Sequence, residues 1–138
     1  MMTQYILDER LKNSSFSICN LSLCELRLKN NTDYPWVILI PRVNKVITEC
    51  YELNNEMQQL LTQEINRVAL TMKKHFRADK INIGALGNIV SQLHIHVIAR
   101  FKKDLLWPHS VWQEALRNKP YLPEQKTKLV AQLRALFQ

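Results

Sequence analysis

The sequence predicts an α+β fold built on an antiparallel sheet. Three observations lead there: apolar runs with strand alternation follow one another through residues 16–40, a long stretch at 54–76 has helical periodicity, and strand-like segments return at 80–83 and 93–101. No helix links the early strands, so they are expected to be antiparallel neighbours rather than parallel strands joined by crossovers.

Phe16 and Ile18 mark the first strand, and Leu21 and Leu23 lead into the alternating Leu26 and Leu28. Asn30-Asn31-Thr32-Asp33 carries turn chemistry and joins this segment to Trp36-Val37-Ile38-Leu39-Ile40, so the two should pair as a hairpin. The Trp36 strand, bordered by Pro35 and Pro41, should sit centrally and feed a loop at residues 42–45. From 54 to 76, Met57, Leu60, Leu61, Ile65, Val68, Met72 and Phe76 recur at spacings of three and four, which predicts an amphipathic helix. Asn54 suits its N-cap, Glu56 the positive end of its dipole, and Lys73 and Lys74 the negative end; His75 there reads as a surface or dipole residue. A strand near 80–83, a glycine loop and a strand at 93–101 follow. Next come a short helix at 111–117 and a terminal helix at 124–137 that puts Leu129, Val130, Leu133, Leu136 and Phe137 on one face.

The 138 residues fit one compact domain, 1–138, with its last helix as a C-terminal extension. Apolar and charged contents of 46% and 22% are ordinary for a globular chain and argue against disorder. The N-terminus lacks a basic segment leading into an apolar run, and the longest apolar run is too short to cross a bilayer, so a soluble cytoplasmic protein without a membrane partner is expected. The three cysteines, Cys19, Cys24 and Cys50, match neither a zinc knuckle nor a Cys-x-x-Cys pair and read as free thiols. A net charge of +7 fits nucleic acid or small anions. The scatter of Lys and Arg, without a basic stripe and interleaved aromatics, favours phosphorylated small molecules over a stable nucleic-acid partner.

The chemistry is expected in Gln92-Leu93-His94-Ile95-His96-Val97-Ile98. On a strand, Gln92, His94 and His96 point one way, with Arg100 on the same face, while Leu93, Ile95 and Val97 point into the core. Just upstream, Asn82 and Asn88 flank a loop that holds the chain's only glycines, Gly84 and Gly87. Backbone amides freed by glycine, an arginine fork and two imidazoles compose a phosphate site. An isolated His-x-His is equally compatible with structural hydrogen bonding, and His94 with His96 would also suit a metal, although no third ligand can be placed.

These residues resemble the signature of the histidine triad family, a strand reading His-x-His-x-His followed by two apolar residues, with glycine and polar residues shortly before it. Trp36-Val37-Ile38-Leu39-Ile40-Pro41-Arg42 is similar to that family's upstream strand, and the resemblance spans about residues 10–105. It implies a five-stranded antiparallel sheet, a homodimer, and hydrolysis or nucleotidyl transfer at the α-phosphate of a purine nucleotide or dinucleoside polyphosphate, with no cofactor. By the same resemblance His94 is the nucleophile, His96 supports the phosphate site, and Asn30, or its neighbour Asn31, contacts a ribose. Turn chemistry explains both asparagines as well. A neutral imidazole can hold the phosphoryl group as a phosphoramidate, provided that its other nitrogen donates to a fixed acceptor; a carbonyl of the 84–87 loop is the candidate. Donors from His96, Asn88 and backbone amides, those of Gly87 included, would offset charge on the phosphate oxygens.

Two positions depart from the family pattern. Gln92 replaces its first histidine, and Ile89 stands where many members carry Ser or Thr beside the leaving group. Both changes remove groups that would assist leaving-group departure. The alternative to an enzyme is therefore a nucleotide-binding module with little or no turnover. Trp107, His109 and Trp112 follow the motif and would close over the site, pack at a dimer interface or, by default, fill the core.

Overall fold

The computed structural model describes residues 4–138. Residues 1–3, where the N-terminal reading begins, lie outside it. In chain order the elements are α1 (Glu9–Asn13), β1 (Ser15–Asn20), β2 (Cys24–Lys29), β3 (Trp36–Pro41), a 3-10 turn (Cys50–Glu52), α2 (Asn55–Phe76), β4 (Lys80–Gly84), β5 (Ile95–Arg100) and α3 (Pro123–Phe137). The strands form one sheet in the order β1-β2-β3-β5-β4, and every neighbouring pair is antiparallel. β3 is central and buried along its whole length, as its Ile/Val/Trp content predicts.

Alternation along the strands divides the interior in two. Leu26, Leu28, Val37, Leu39, Ile95 and Val97 face α2 and α3, which bury Val68 and Met72 from one helix and Leu133 and Phe137 from the other. Trp36, Ile38 and Ile98 face the opposite side. That side is covered mainly by irregular chain: the N-terminal segment supplies Tyr5 and Leu7, α1 supplies Leu11, and the stretch after β5 supplies Val111 and Trp112. The histidine face therefore lies under segments that carry little regular backbone bonding of their own.

The long helix forms as its periodicity predicts, and Asn54 caps it by accepting the Met57 N–H at 2.8 Å. From its middle, the buried Glu64 carboxylate accepts the N–H groups of Leu23 and Cys24 at 2.8 and 2.9 Å, which fixes the turn into β2. Leu21 and Leu23 belong to that turn and precede the strand.

The short helix expected at 111–117 does not form. Its backbone groups are satisfied elsewhere: the Arg117 carbonyl accepts from the Asn31 side chain at 3.0 Å, and just beyond it the Lys119 carbonyl accepts the Thr32 N–H. Val111 meanwhile plugs the second apolar cluster. α1 was not legible because five residues are too few to show a period; it rests on Asp8, whose carboxylate accepts the Arg10 N–H at 2.8 Å. Among the described residues no helix is long and apolar enough to cross a membrane.

Candidate active site around His94 and His96

The alternation read from the sequence places Gln92, His94 and His96 on the face opposite the helices, and all three are buried. The strand itself starts later than expected, at Ile95. Before it, the Leu93 N–H is drawn to the Ile47 carbonyl, 2.8 Å away in the loop that follows β3. His94 thus sits at the mouth of the sheet, while His96 lies within it, opposite Ile38 on β3 and Gly84 on β4. The two rings meet edge to face with centroids 4.8 Å apart.

Their hydrogen bonds assign the tautomers. His94 Nδ1 lies 2.7 Å from the Gln92 carbonyl oxygen, which can only accept, so Nδ1 carries the proton and Nε2 keeps a free lone pair. His96 Nδ1 accepts the indole N–H of Trp36 at 3.0 Å, so the proton of the neutral ring is on Nε2. The acceptor for His94 is therefore the backbone two residues upstream and not the glycine loop.

Burial is the main cause that holds both rings neutral. It lowers the pKa of His94, helped by the positive charge of Lys29 and opposed by the Gln92 carbonyl and the Asp8 carboxylate. For His96, burial, the neighbouring His94 and Lys29 together push the pKa down to about 3. At pH 7 His94 is thus a neutral ring with a free Nε2 lone pair, and His96 a neutral ring with an N–H to donate.

Gln92 holds the site together instead of lining it. Its amide N–H donates to the Ile6 carbonyl at 2.9 Å, and its Oε1 accepts the Asp8 N–H at 2.8 Å. The side chain thereby pins the N-terminal segment across the sheet, while its own carbonyl orients His94. Arg10 adds a further tie, donating to the Ile89 carbonyl at 3.0 Å.

The other sequence-predicted residues divide. Gly87 adopts φ of 67°, a left-handed conformation that glycine takes without strain, and neighbouring Asn88 is exposed. At Gly84 a Cβ would come within 2.8 Å of the Trp112 ring, so glycine is what lets that indole approach His96, 5.5 Å away between centroids. Arg100 is not brought to the histidines. It lies four strand residues beyond His96, roughly 13 Å along β5. There its buried guanidinium binds both oxygens of Asp104 at 2.7 and 2.9 Å, Asn82 Oδ1 at 2.9 Å and the His109 carbonyl at 2.8 Å. The phosphate-binding role expected of Arg100 and Asn82 gives way to this network, which anchors the chain after β5. Trp107 packs there too, with the guanidinium 5.8 Å from its ring centroid.

Asn31 Oδ1 accepts the Asp33 N–H at 2.9 Å and so serves the turn, whereas Asn30 Oδ1 accepts the Tyr121 N–H at 2.8 Å and ties the turn to the segment before α3. Both also line a cavity of about 400 Å³ together with Ser14, Lys29, Arg117 and Asn118. Neither that cavity nor one of about 540 Å³, walled by Tyr5, Ser17, Asn20, Ser22, Glu25 and Arg42, is lined by a histidine. Lys29 was missed by the sequence reading. Its signal was the alternation in β2, which puts Glu25, Arg27 and Lys29 opposite the core residues Leu26 and Leu28. Among the described residues, no group of three or more His, Cys, Asp or Glu is placed to hold a metal ion.

Comparison with known proteins decides the family: the model of the HIT domain matches residues 10–103. The chain belongs to the histidine triad family. A histidine triad protein of Sinorhizobium meliloti 1021 is 44% identical over 98% of both chains, with a TM-score of 0.91. One from Marinobacter aquaeolei VT8 is 41% identical over 96% of both chains, and one from Bradyrhizobium japonicum is 34% identical over 97% of this chain and 98% of its own, each with a TM-score of 0.91. No curated protein sequence matches. The HIT fold, with its five-stranded antiparallel sheet, is thus the one expected from the motif.

Two outcomes test this geometry. Arg100→Ala strands a buried Asp104 and should destabilise the fold by about 3–5 kcal/mol in urea denaturation, whereas a residue serving only as a phosphate ligand would leave the midpoint unchanged. For His96 the folded pKa lies below the ordinary value of 6.5, so the unfolded chain binds a proton that the native state refuses between pH 6.5 and about 3. Stability is full above that window and falls as pH drops through it, by up to about 1.4 kcal/mol per pH unit from this ring. Denaturation at pH 7.5 and 5.0 should show a shallower loss in His96→Gln, which keeps an acceptor for the Trp36 indole; an unchanged slope would contradict the assignment.

Proposed function

We propose that the protein is a nucleotide hydrolase or nucleotidyl transferase acting at the α-phosphate of a purine nucleotide or dinucleoside polyphosphate through a covalent nucleotidyl-His94 intermediate. One observation carries the reading: His94 Nδ1 is committed to the Gln92 carbonyl, which leaves Nε2 unprotonated. The Nε2 lone pair attacks the α-phosphorus as the bond to the leaving group breaks, and the leaving group departs with that electron pair. Water or another acceptor then attacks phosphorus, and the P–N bond breaks to restore the neutral imidazole. The Nε2–H of His96 donates to a phosphoryl oxygen as charge gathers there.

The cavity beside Asn30 and Lys29 suits the nucleoside, since about 400 Å³ falls in the range of small-ligand pockets and its walls carry the amides of Asn13, Asn30, Asn31 and Asn118 with the Ser14 hydroxyl. Asn30 stands on that wall, where the family resemblance expects a ribose contact.

A second reading, a binding module with little turnover, draws on Gln92 and Ile89. The Gln92 amide is spent on Ile6 and Asp8, and the Ile89 side chain, 85% exposed, has no proton to give, so neither assists the leaving group.

Rapid mixing with diadenosine tetraphosphate, a quench in alkaline denaturant that spares the P–N bond, and intact-mass spectrometry should reveal an adenylyl adduct. It should vanish in His94→Ala, with turnover falling at least about 10³-fold. An unchanged rate in that variant overturns the enzyme reading, while tight AMP binding by the wild type with turnover at background selects the binding module.

A further inference from the structure

The histidine pair is neutral, and Arg100 is neutralised by Asp104, so the proposed phosphate site has so far no positive charge to meet an anion. Lys29, the last residue of β2, provides one. On the same face of that strand, Glu25 and Arg27 satisfy each other at 2.6 Å, and Arg27 also donates to the Ser15 hydroxyl at 2.7 Å. Lys29 is left without a hydrogen-bond or carboxylate partner among the described residues. It is nonetheless half-buried, with its ammonium 5.8 Å from the centroid of the Trp36 ring, the same indole whose N–H holds His96. A half-buried cation with no counter-ion is costly unless an anion completes it.

Its position says which anion. Lys29 lines the cavity that would take the nucleoside, and its charge also bears on both His94 and His96. Lys29 therefore joins the wall of that cavity to the Trp36–His96 pair, on the sheet face that carries His94. We propose that the Lys29 ammonium binds the non-bridging oxygens of the substrate's α-phosphate and carries part of their charge in the transition state, as a third catalytic residue beside His94 and His96. This rests on the reading of the site as a nucleotidyl-transfer centre. The same charge disfavours protonation of His94 in the empty site, so one cation both recruits the phosphate and keeps the nucleophile neutral. It also narrows the substrate: the group recognised at this point must be anionic, so a nucleotide should bind far better than its nucleoside.

Calorimetry with AMP and with adenosine on wild type, Lys29→Gln and Lys29→Arg tests this, alongside the single-turnover rate of adduct formation at saturating diadenosine tetraphosphate. Lys29→Gln should weaken AMP roughly 10- to 100-fold, leave adenosine unchanged, and lower the saturated rate beyond any change in KM. Lys29→Arg, which retains the charge, should recover most of both. Equal AMP affinity in wild type and Lys29→Gln overturns the Lys29 assignment alone. So does a Lys29→Arg variant as impaired as Lys29→Gln, because charge would then not be what matters. A wild type that binds no AMP overturns the nucleotide reading and this assignment with it.

Discussion

The contact on which the site depends is the hydrogen bond from His94 Nδ1 to the carbonyl of Gln92. It decides which imidazole nitrogen is free, and it works only if that carbonyl is fixed. Three separate parts of the chain fix it. The loop after β3 takes the Leu93 N–H, the N-terminal segment takes both ends of the Gln92 side chain, and β5 holds His96 in register between β3 and β4. Gln92 thus serves the site through its backbone as an orienting acceptor and through its side chain as a clasp. An amide at this position does not titrate, and it attaches residues 6–8 to the site.

The second imidazole is set by the opposite logic. The Trp36 indole can only donate, so it takes the Nδ1 lone pair of His96 and turns an N–H outward. Two neutral rings of opposite tautomer, packed edge to face, form an acceptor–donor couple that either tautomer alone would not give. Desolvation keeps them neutral, and it arises because the histidine face is roofed by irregular chain. That roof is in turn tied down from below by Arg100, whose bonds to Asp104 and the His109 carbonyl hold the segment carrying Val111 and Trp112.

Much of this was legible in the sequence. Period-two alternation placed Gln92, His94, His96 and Arg100 on one face, the 3.6-residue period located α2 nearly to the residue, and turn chemistry at Asn30–Asp33 gave the β2–β3 hairpin. What escaped depended on contacts between residues far apart in the chain. Nothing near Gln92 announces a partner at Ile6, and nothing near Lys29 announces a histidine 65 positions later. Alternation puts Arg100 on the correct face, but it fixes direction and not what fills the space four residues along, where Asp104 takes the guanidinium. At 111–117 the apolar residues fitted a helix, and tertiary bonds from the β2–β3 turn claimed the backbone instead.

The chemistry of the site depends most directly on the two tautomers. Long-range proton–nitrogen correlation NMR on the uniformly nitrogen-15-labelled protein at pH 7 reads them without substrate. The expected result is an unprotonated Nε2 with protonated Nδ1 for His94, and the reverse for His96. A protonated His94 ring, or the same tautomer in both rings, would contradict it.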